Sequence, residues 1–177
     1  MRKLKIDELN RISTEEFKKS RKTPVVVVLD NIRSLHNVGS LFRTSDALRL
    51  EALYLCGITS TPPHKEIHKT ALGAEDAVEW HYFEKTIEAI KKLKKEQYLL
   101  IGVEQVEGST DLRTFRVDTT KKYAVILGHE VRGIDQKVID CCDLCVEIPQ
   151  FGTKHSFNVS VSGGIVLWEM AKPWMTY

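Results

Sequence analysis

Three groups of residues in this 177-residue chain combine side chains able to hold an oxygen-rich anion. The first runs from Asp30 to Arg43, where apolar residues give way to a polar stretch and then to a helical pattern. Gly39, Ser40 and Ala47 stand three or four residues from Arg43, so at helical spacing the guanidinium projects over small neighbours. Asn37 is the candidate N-cap of that helix. Such a guanidinium cannot neutralise itself, and its flat fork suits a carboxylate or a phosphate. The second group is Gly128-His129-Glu130-Val131-Arg132-Gly133, two glycines bracketing a carboxylate after an apolar run. Gly128 is expected to let a ligand approach the backbone and Gly133 to make a tight turn. The group lacks Gly-x-Gly-x-x-Gly spacing, which disfavours a dinucleotide-binding dehydrogenase. The third group spans Ile148-Pro149 and Ser156-Phe157-Asn158, ahead of a nearly uncharged helix that Ser156 or Asn158 could cap.

Other pairings point to less. His64 and His68 share one helical face, as metal ligands can, but Glu66 is out of register for a zinc-protease motif, and no metal is expected. Cys142 and Cys145 form one CxxC without a second pair. With Cys56 and Cys141 they read as reduced, buried thiols. The adjacent His155 and Ser156 lack nucleophile-elbow glycines and cannot easily meet in a catalytic geometry, which disfavours a serine hydrolase.

The elements that must position these groups alternate along the chain. Strands are expected at 24–29, 51–56, 78–82, 98–103, 122–127 and 143–148, and helices at 7–20, 38–49, 64–71, 84–95, 135–141 and 158–170. The run Pro24-Val25-Val26-Val27-Val28-Leu29 has no polar alternation, as a parallel strand buried on both faces requires. The last helix, with small residues early and large ones late, reads as buried, its start pressed against other backbone. The rhythm implies an α/β fold, a mostly parallel sheet flanked by helices, with ligands beyond the carboxyl ends of the strands.

Charge and length set the remaining limits. The formal net charge is only +2, so its distribution matters more than its total. Residues 1–22 form a basic helical extension in which Lys18, Lys19, Arg21 and Lys22 offer a phosphate-binding arm, while Leu4, Leu9, Ile12 and Phe17 are expected to pack on the body. Lys91, Lys92, Lys94 and Lys95 read as a solvated helix face. Residues 23–177 form one domain, large enough to bury a core without disulfides or metals. No stretch resembles a membrane span or secretory signal, so a cytoplasmic location is expected.

Taken in order, Asn37-x-Gly39-x-x-x-Arg43, Gly128-x-Glu130-x-x-Gly133, and Ile148-Pro149 followed by Ser156-Phe157-Asn158-Val159-Ser160 resemble the three motifs of the SpoU (TrmH-type) RNA ribose methyltransferases of the SPOUT superfamily. The resemblance implies transfer of a methyl group from S-adenosylmethionine to a ribose 2′-hydroxyl of RNA, a C-terminal deep trefoil knot, and a homodimer. It further implies cofactor binding by Val103, Leu127, Gly128, Gly133, Ile148, Pro149, Ser156 and Phe157, and catalytic roles for Asn37, Arg43, Glu130, Ser156 and Asn158. Arg43, together with the basic extension, would meet RNA. Departures are His129, Gln150 and Phe157, the last replacing a usual leucine. A guanidinium with a pKa above about 12 is a poor base, so Arg43 is expected to orient a phosphate and stabilise the developing alkoxide. The short extension suits transfer RNA better than ribosomal RNA. The alternative class is a non-catalytic RNA-binding or RNA-chaperone module on the same fold, which would not need Arg43, Glu130 and Asn158 together.

Overall fold

β1 (Thr23–Asp30) is buried on both sides, with Val25, Val27 and Leu29 entering one core layer and Val26 and Val28 the other. That is the physical reason its sequence shows no alternation. The computed structural model describes residues 1–175, so the last two residues of the expected 23–177 domain lie outside the described residues. β1 is the third strand of a seven-stranded sheet in the order β3-β2-β1-β6-β4-β7-β5. The others are β2 (Leu50–Cys56), β3 (Glu79–Phe83), β4 (Tyr98–Val103), β5 (Thr110–Asp111), β6 (Lys122–Gly128) and β7 (Leu144–Glu147), and every pairing is parallel. Each expected strand is present to within a residue or two. β5 was not expected, because two residues are too few to carry a periodicity.

Helices cover both faces. α1 (Thr14–Lys19), α2 (Leu35–Ala47), α3 (Lys65–Ala71), α4 (Ala74–Ala77) and α7 (Val159–Ala171) contribute to one core layer, and α5 (Thr86–Lys95) and α6 (Gln136–Ile139) to the other. In α5, Ala89, Ile90 and Leu93 are buried while Lys91, Lys92, Lys94 and Lys95 face water, as their spacing requires. The chain leaves β1 through α2 on one face and leaves the adjacent β6 through α6 on the other. The carboxyl ends of β1 and β6 are therefore a topological switch point, where diverging loops leave a crevice. No helix among the described residues is long and apolar enough to cross a membrane.

Three expectations need correction. The helix at 7–20 is broken: a 3-10 turn spans Ile6–Leu9, Asn10 takes a left-handed conformation (φ 48°), and α1 restarts behind a Ser13–Glu16 capping box. Only Phe17 of its expected apolar contacts is buried, and Leu4, Leu9 and Ile12 stay exposed. Next, α2 begins three residues early, with Ser34 rather than Asn37 as N-cap and the Asn37 backbone N–H donating to the Ser34 hydroxyl at 3.3 Å. Finally, α7 is buried on one side only: Val161, Ile165 and Trp168, at helical spacing, remain exposed because no element among the described residues covers them.

Gly39 leaves no open floor beneath Arg43. A Cβ there would collide with the Ile67 carbonyl and the Thr70 hydroxyl, so the glycine lets α2 lie directly on α3. Gly39→Ala is expected to cost about 1–3 kcal/mol of stability by overpacking. Gly152→Ala, whose Cβ would meet nothing within 4 Å, should change it little. Urea denaturation of both variants checks the contrast.

Candidate active site

The loops after β1, β6 and β7 meet around one carboxylate. Glu130 follows β6, in a turn closed by paired backbone bonds between His129 and Gly133 (3.0 and 2.8 Å). Gly133 takes φ +68°, which favours glycine, and the Glu104 carboxylate lies where a Cβ would stand. One Glu130 oxygen accepts the Arg33 backbone N–H at 3.0 Å. The other accepts the Ser34 N–H at 2.9 Å and the Asn37 amide at 3.0 Å. The Asn37 amide oxygen accepts from Asn158 at 3.2 Å, and the Asn158 oxygen caps α7 through the Ser160 N–H at 2.9 Å. Asn37 is buried, and its early place in α2 is what turns its side chain toward this chain of bonds.

Gly128 serves a different purpose from the one expected. A Cβ there would collide with the Gly133 carbonyl carbon and the Ile134 nitrogen. Its bare backbone admits the chain's own turn rather than a ligand. That turn is pinned from the other side by Glu104, which accepts the Ile134 N–H at 3.0 Å.

These loops enclose a cleft of about 310 Å³ at the carboxyl ends of β4, β6 and β7. Val103, Leu127 and Ile148 supply apolar wall from the strand ends, with Gly128, Gly133, Ser156 and Phe157 from the loops, so seven of the eight expected cofactor residues line it. Pro149 does not. The sequence reading missed Glu104 and Gln105, which directly follow β4 and also line the cleft. A carboxylate one residue past a buried strand is the signal that could have found them. Gln105 donates to the His155 carbonyl at 2.8 Å across fifty residues of chain, holding the Ser156–Phe157 loop over the cleft.

Arg43 stands apart from this group. Six residues beyond Asn37, it is about 9 Å further along the α2 axis. It is exposed and lines a separate depression with Ser40, Ala47, Lys69, Gly164 and Trp168. Of the basic extension, Lys18, Lys19 and Arg21 are exposed, whereas Lys22 donates to the Phe17 carbonyl and lies 3.7 Å over its ring. Burial lowers the Lys22 pKa, and nearby Arg49 lowers it further.

The histidine and cysteine pairings have structural roles. His64 caps α3 through the Glu66 N–H and His68 pairs with Glu75, so the two rings do not converge, and no metal-binding cluster occurs among the described residues. All four cysteines are free. Burial pushes the thiols of Cys56 and Cys142 up to about 12, which suits inert packing rather than redox chemistry.

Burial alone would raise the pKa of Glu130, but the N–H bonds from Arg33 and Ser34 and the Asn37 amide outweigh it and hold the carboxyl below the usual range. The folded state favours the ionised form. Its contribution is therefore complete above the ordinary glutamate pKa of about 4.3 and fades as pH falls through the lowered folded value. Glu130→Gln is expected to lower stability at neutral pH by about 1–3 kcal/mol. The gap from wild type should narrow below about pH 4 in urea denaturation at each pH.

Known proteins resemble this chain over most of its length. The chain is 32% identical over 146 residues to the 23S rRNA (guanosine-2'-O-)-methyltransferase RlmB of Neisseria meningitidis, covering 82% of this chain and 57% of that protein. It is 28% identical over 160 residues to the tRNA (guanosine(18)-2'-O)-methyltransferase of Aquifex aeolicus, covering 87% and 72%. The chain thus spans a little over half the length of the Neisseria relative. The crystal structure of an AdoMet-bound rRNA methyltransferase from Sinorhizobium meliloti superposes with a TM-score of 0.81 at 23% identity, over 90% of this chain and 61% of that one, a likeness of fold. The model of the SpoU rRNA Methylase family matches residues 24–168, which takes in every loop of the cleft, and the chain belongs to that family.

Proposed function

We propose that the protein is an S-adenosylmethionine-dependent RNA 2′-O-ribose methyltransferase. The observation that carries the reading is the convergence of all three family motifs on one polar chain, Glu130–Asn37–Asn158, beside a cleft of ligand size. The cleft suits the cofactor: Val103, Leu127, Ile148 and Phe157 offer apolar contact for a nucleoside, and Glu104, Gln105 and loop backbone offer polar groups at its edge. When bound, S-adenosylmethionine supplies a methyl group activated by its sulfonium charge. Glu130 already accepts three bonds and has a lowered pKa, so its part is to position the loops, not to take the ribose proton. That proton goes to the target phosphate or to water. Arg43 pairs with the phosphate and stabilises the alkoxide as it forms. The exposed Lys18, Lys19 and Arg21 extend the contact to RNA, with Lys22 contributing charge from its seat on α1.

Arg43 does not line the cleft of its own copy, and a homodimer resolves this. The exposed stripe Val161, Ile165 and Trp168 runs from the cleft end of α7 to the Arg43 depression. In a two-fold pairing of α7 against its copy, the Trp168 end of one stripe meets the Val161 end of the other, carrying Arg43 toward the partner's cleft. The trefoil knot belongs to the same reading, supported by the close approach of the Gln105, Gly133 and His155 segments. Transfer and ribosomal RNA are both substrates to test, since the Aquifex relative is named for the former and the Neisseria relative for the latter. A non-catalytic RNA-binding module would not require a cleft of ligand size.

Calorimetry should show S-adenosylmethionine binding, and labelled methyl transfer to unmodified tRNA and 23S rRNA transcripts should yield a methylated ribose. A protein that binds no cofactor and methylates no ribose overturns the reading. Arg43→Lys is expected to lose at least about 100-fold in turnover with cofactor affinity unchanged. Trp168→Glu should convert a dimer to monomers in sedimentation and lower activity with it.

A further inference from the structure

Two arginines take no part in the reaction described above. Arg33 follows β1 and Arg132 follows β6, and both edge a hollow of about 450 Å³ at the switch point between those strands. His129, Arg132 and Gly133 line this hollow and the cofactor cleft alike, so the two share a wall, while Arg33 lines the hollow alone. Both arginines are exposed. Among the described residues each enters a hydrogen bond only through its backbone N–H, Arg33 to Glu130 and Arg132 to His129, and both guanidiniums are unpaired.

The acids in the hollow are engaged elsewhere. Asp30 is buried and accepts from Asn31 at 2.9 Å, from Thr86 at 2.5 Å and from the Asp135 N–H at 3.0 Å. Asp135 caps α6 through the Lys137 N–H at 2.9 Å. Neither comes within ion-pair distance of an arginine among the described residues, so both guanidiniums keep their donors free.

His129 adds a donor of fixed direction. Its Nδ1 accepts the backbone N–H groups of Val131 (3.0 Å) and Arg132 (3.3 Å). A backbone N–H can only donate, so Nδ1 carries the lone pair and the proton of the neutral ring sits on Nε2. The Nδ1 lone pair is turned to those N–H groups, and Nε2 can donate one hydrogen bond to an anion.

We propose that Arg33, Arg132 and His129 form a subsite for an RNA backbone phosphate adjacent to the methylated nucleotide, distinct from the phosphate assigned to Arg43. The inference rests on the reading of the chain as an RNA ribose methyltransferase. The 2′-hydroxyl of a ribose is on the carbon next to the one bearing the 3′ phosphate, so a strand with that hydroxyl in the cleft brings a phosphate to the cleft's edge. The shared His129 wall puts two planar, unpaired guanidiniums there. Such contacts set the register of the strand without reading its bases.

The test is fluorescence anisotropy of labelled tRNA and 23S rRNA fragment transcripts with the full chain over a range of KCl concentrations. Arg33→Ala/Arg132→Ala should weaken RNA binding at least tenfold and flatten the slope of log affinity against log salt by about 1.4–1.8, the loss of two phosphate contacts. Arg33→Lys/Arg132→Lys should keep most of the slope, and in Arg33→Ala alone, which leaves the shared wall intact, cofactor affinity by calorimetry should stay within about twofold. A double-alanine variant with wild-type affinity and slope overturns the subsite, as does an Arg33→Ala variant that loses the cofactor. If the wild type methylates ribose while the variant's slope is unchanged, only the subsite fails. If the slope flattens but the wild type methylates nothing, the methyl-transfer reading fails and the subsite stands, and a wild type that binds no RNA overturns both.

Discussion

The Glu130 carboxylate holds the functional end of the molecule together, because it ties the loop after β6 to the loop after β1 through three direct bonds. It accepts two backbone N–H groups at the entrance to α2 and the Asn37 amide one turn further in. Those N–H groups precede the first helical bonds and would otherwise need water. An anion at a helix N-terminus is also favoured by the helix dipole. Through Asn37 the same constraint reaches Asn158 and the start of α7, so three loops far apart in sequence share one polar chain. Its members also stabilise their own segments, since Asn158 caps α7 and Ser34, whose N–H Glu130 accepts, caps α2.

The constraint works only because the backbone beneath it is bare and the sheet beneath that is rigid. Gly128 has no Cβ, which lets the Gly133–Ile134 peptide settle onto the end of β6, and Glu104 fastens that peptide from the side of β4. The strands themselves are buried on both faces, so their carboxyl ends are fixed points from which short loops project. Precision in the loops then comes from hydrogen bonds rather than from packing. The Ser156–Phe157 segment follows the same logic, with Gln105 and Gln150 both donating to the His155 carbonyl.

Around this centre the surface divides into regions of different chemistry. The cleft mixes apolar strand-end walls with polar groups, the Arg43 depression is cationic beside an exposed apolar stripe, and the switch-point hollow carries the unpaired Arg33 and Arg132. Asp30 and Glu130 sit among arginines yet bond to N–H, hydroxyl and amide groups instead, which leaves the guanidiniums available to a phosphate.

Local pattern determined most of the architecture. A continuous apolar run marked β1 and a 3.6-residue stripe marked α5, because burial acts over a few residues and leaves traces there, whereas Asn37, Glu130, Ser156 and Asn158 were picked out by the resemblance of three ordered motifs to a known family. What depended on distant parts of the chain was invisible. Asn10 breaking the first helix, Gly39 spent on α3, Gly128 admitting its own turn and the two-residue β5 each reflect contacts made by segments remote in sequence. The roles of the charged residues belong to the same class. Whether Glu130 is a base or a clasp, and whether Arg43, Arg33 or Lys22 is free, depends on which donors and acceptors the fold brings within about 3 Å, and only the tertiary structure sets those distances.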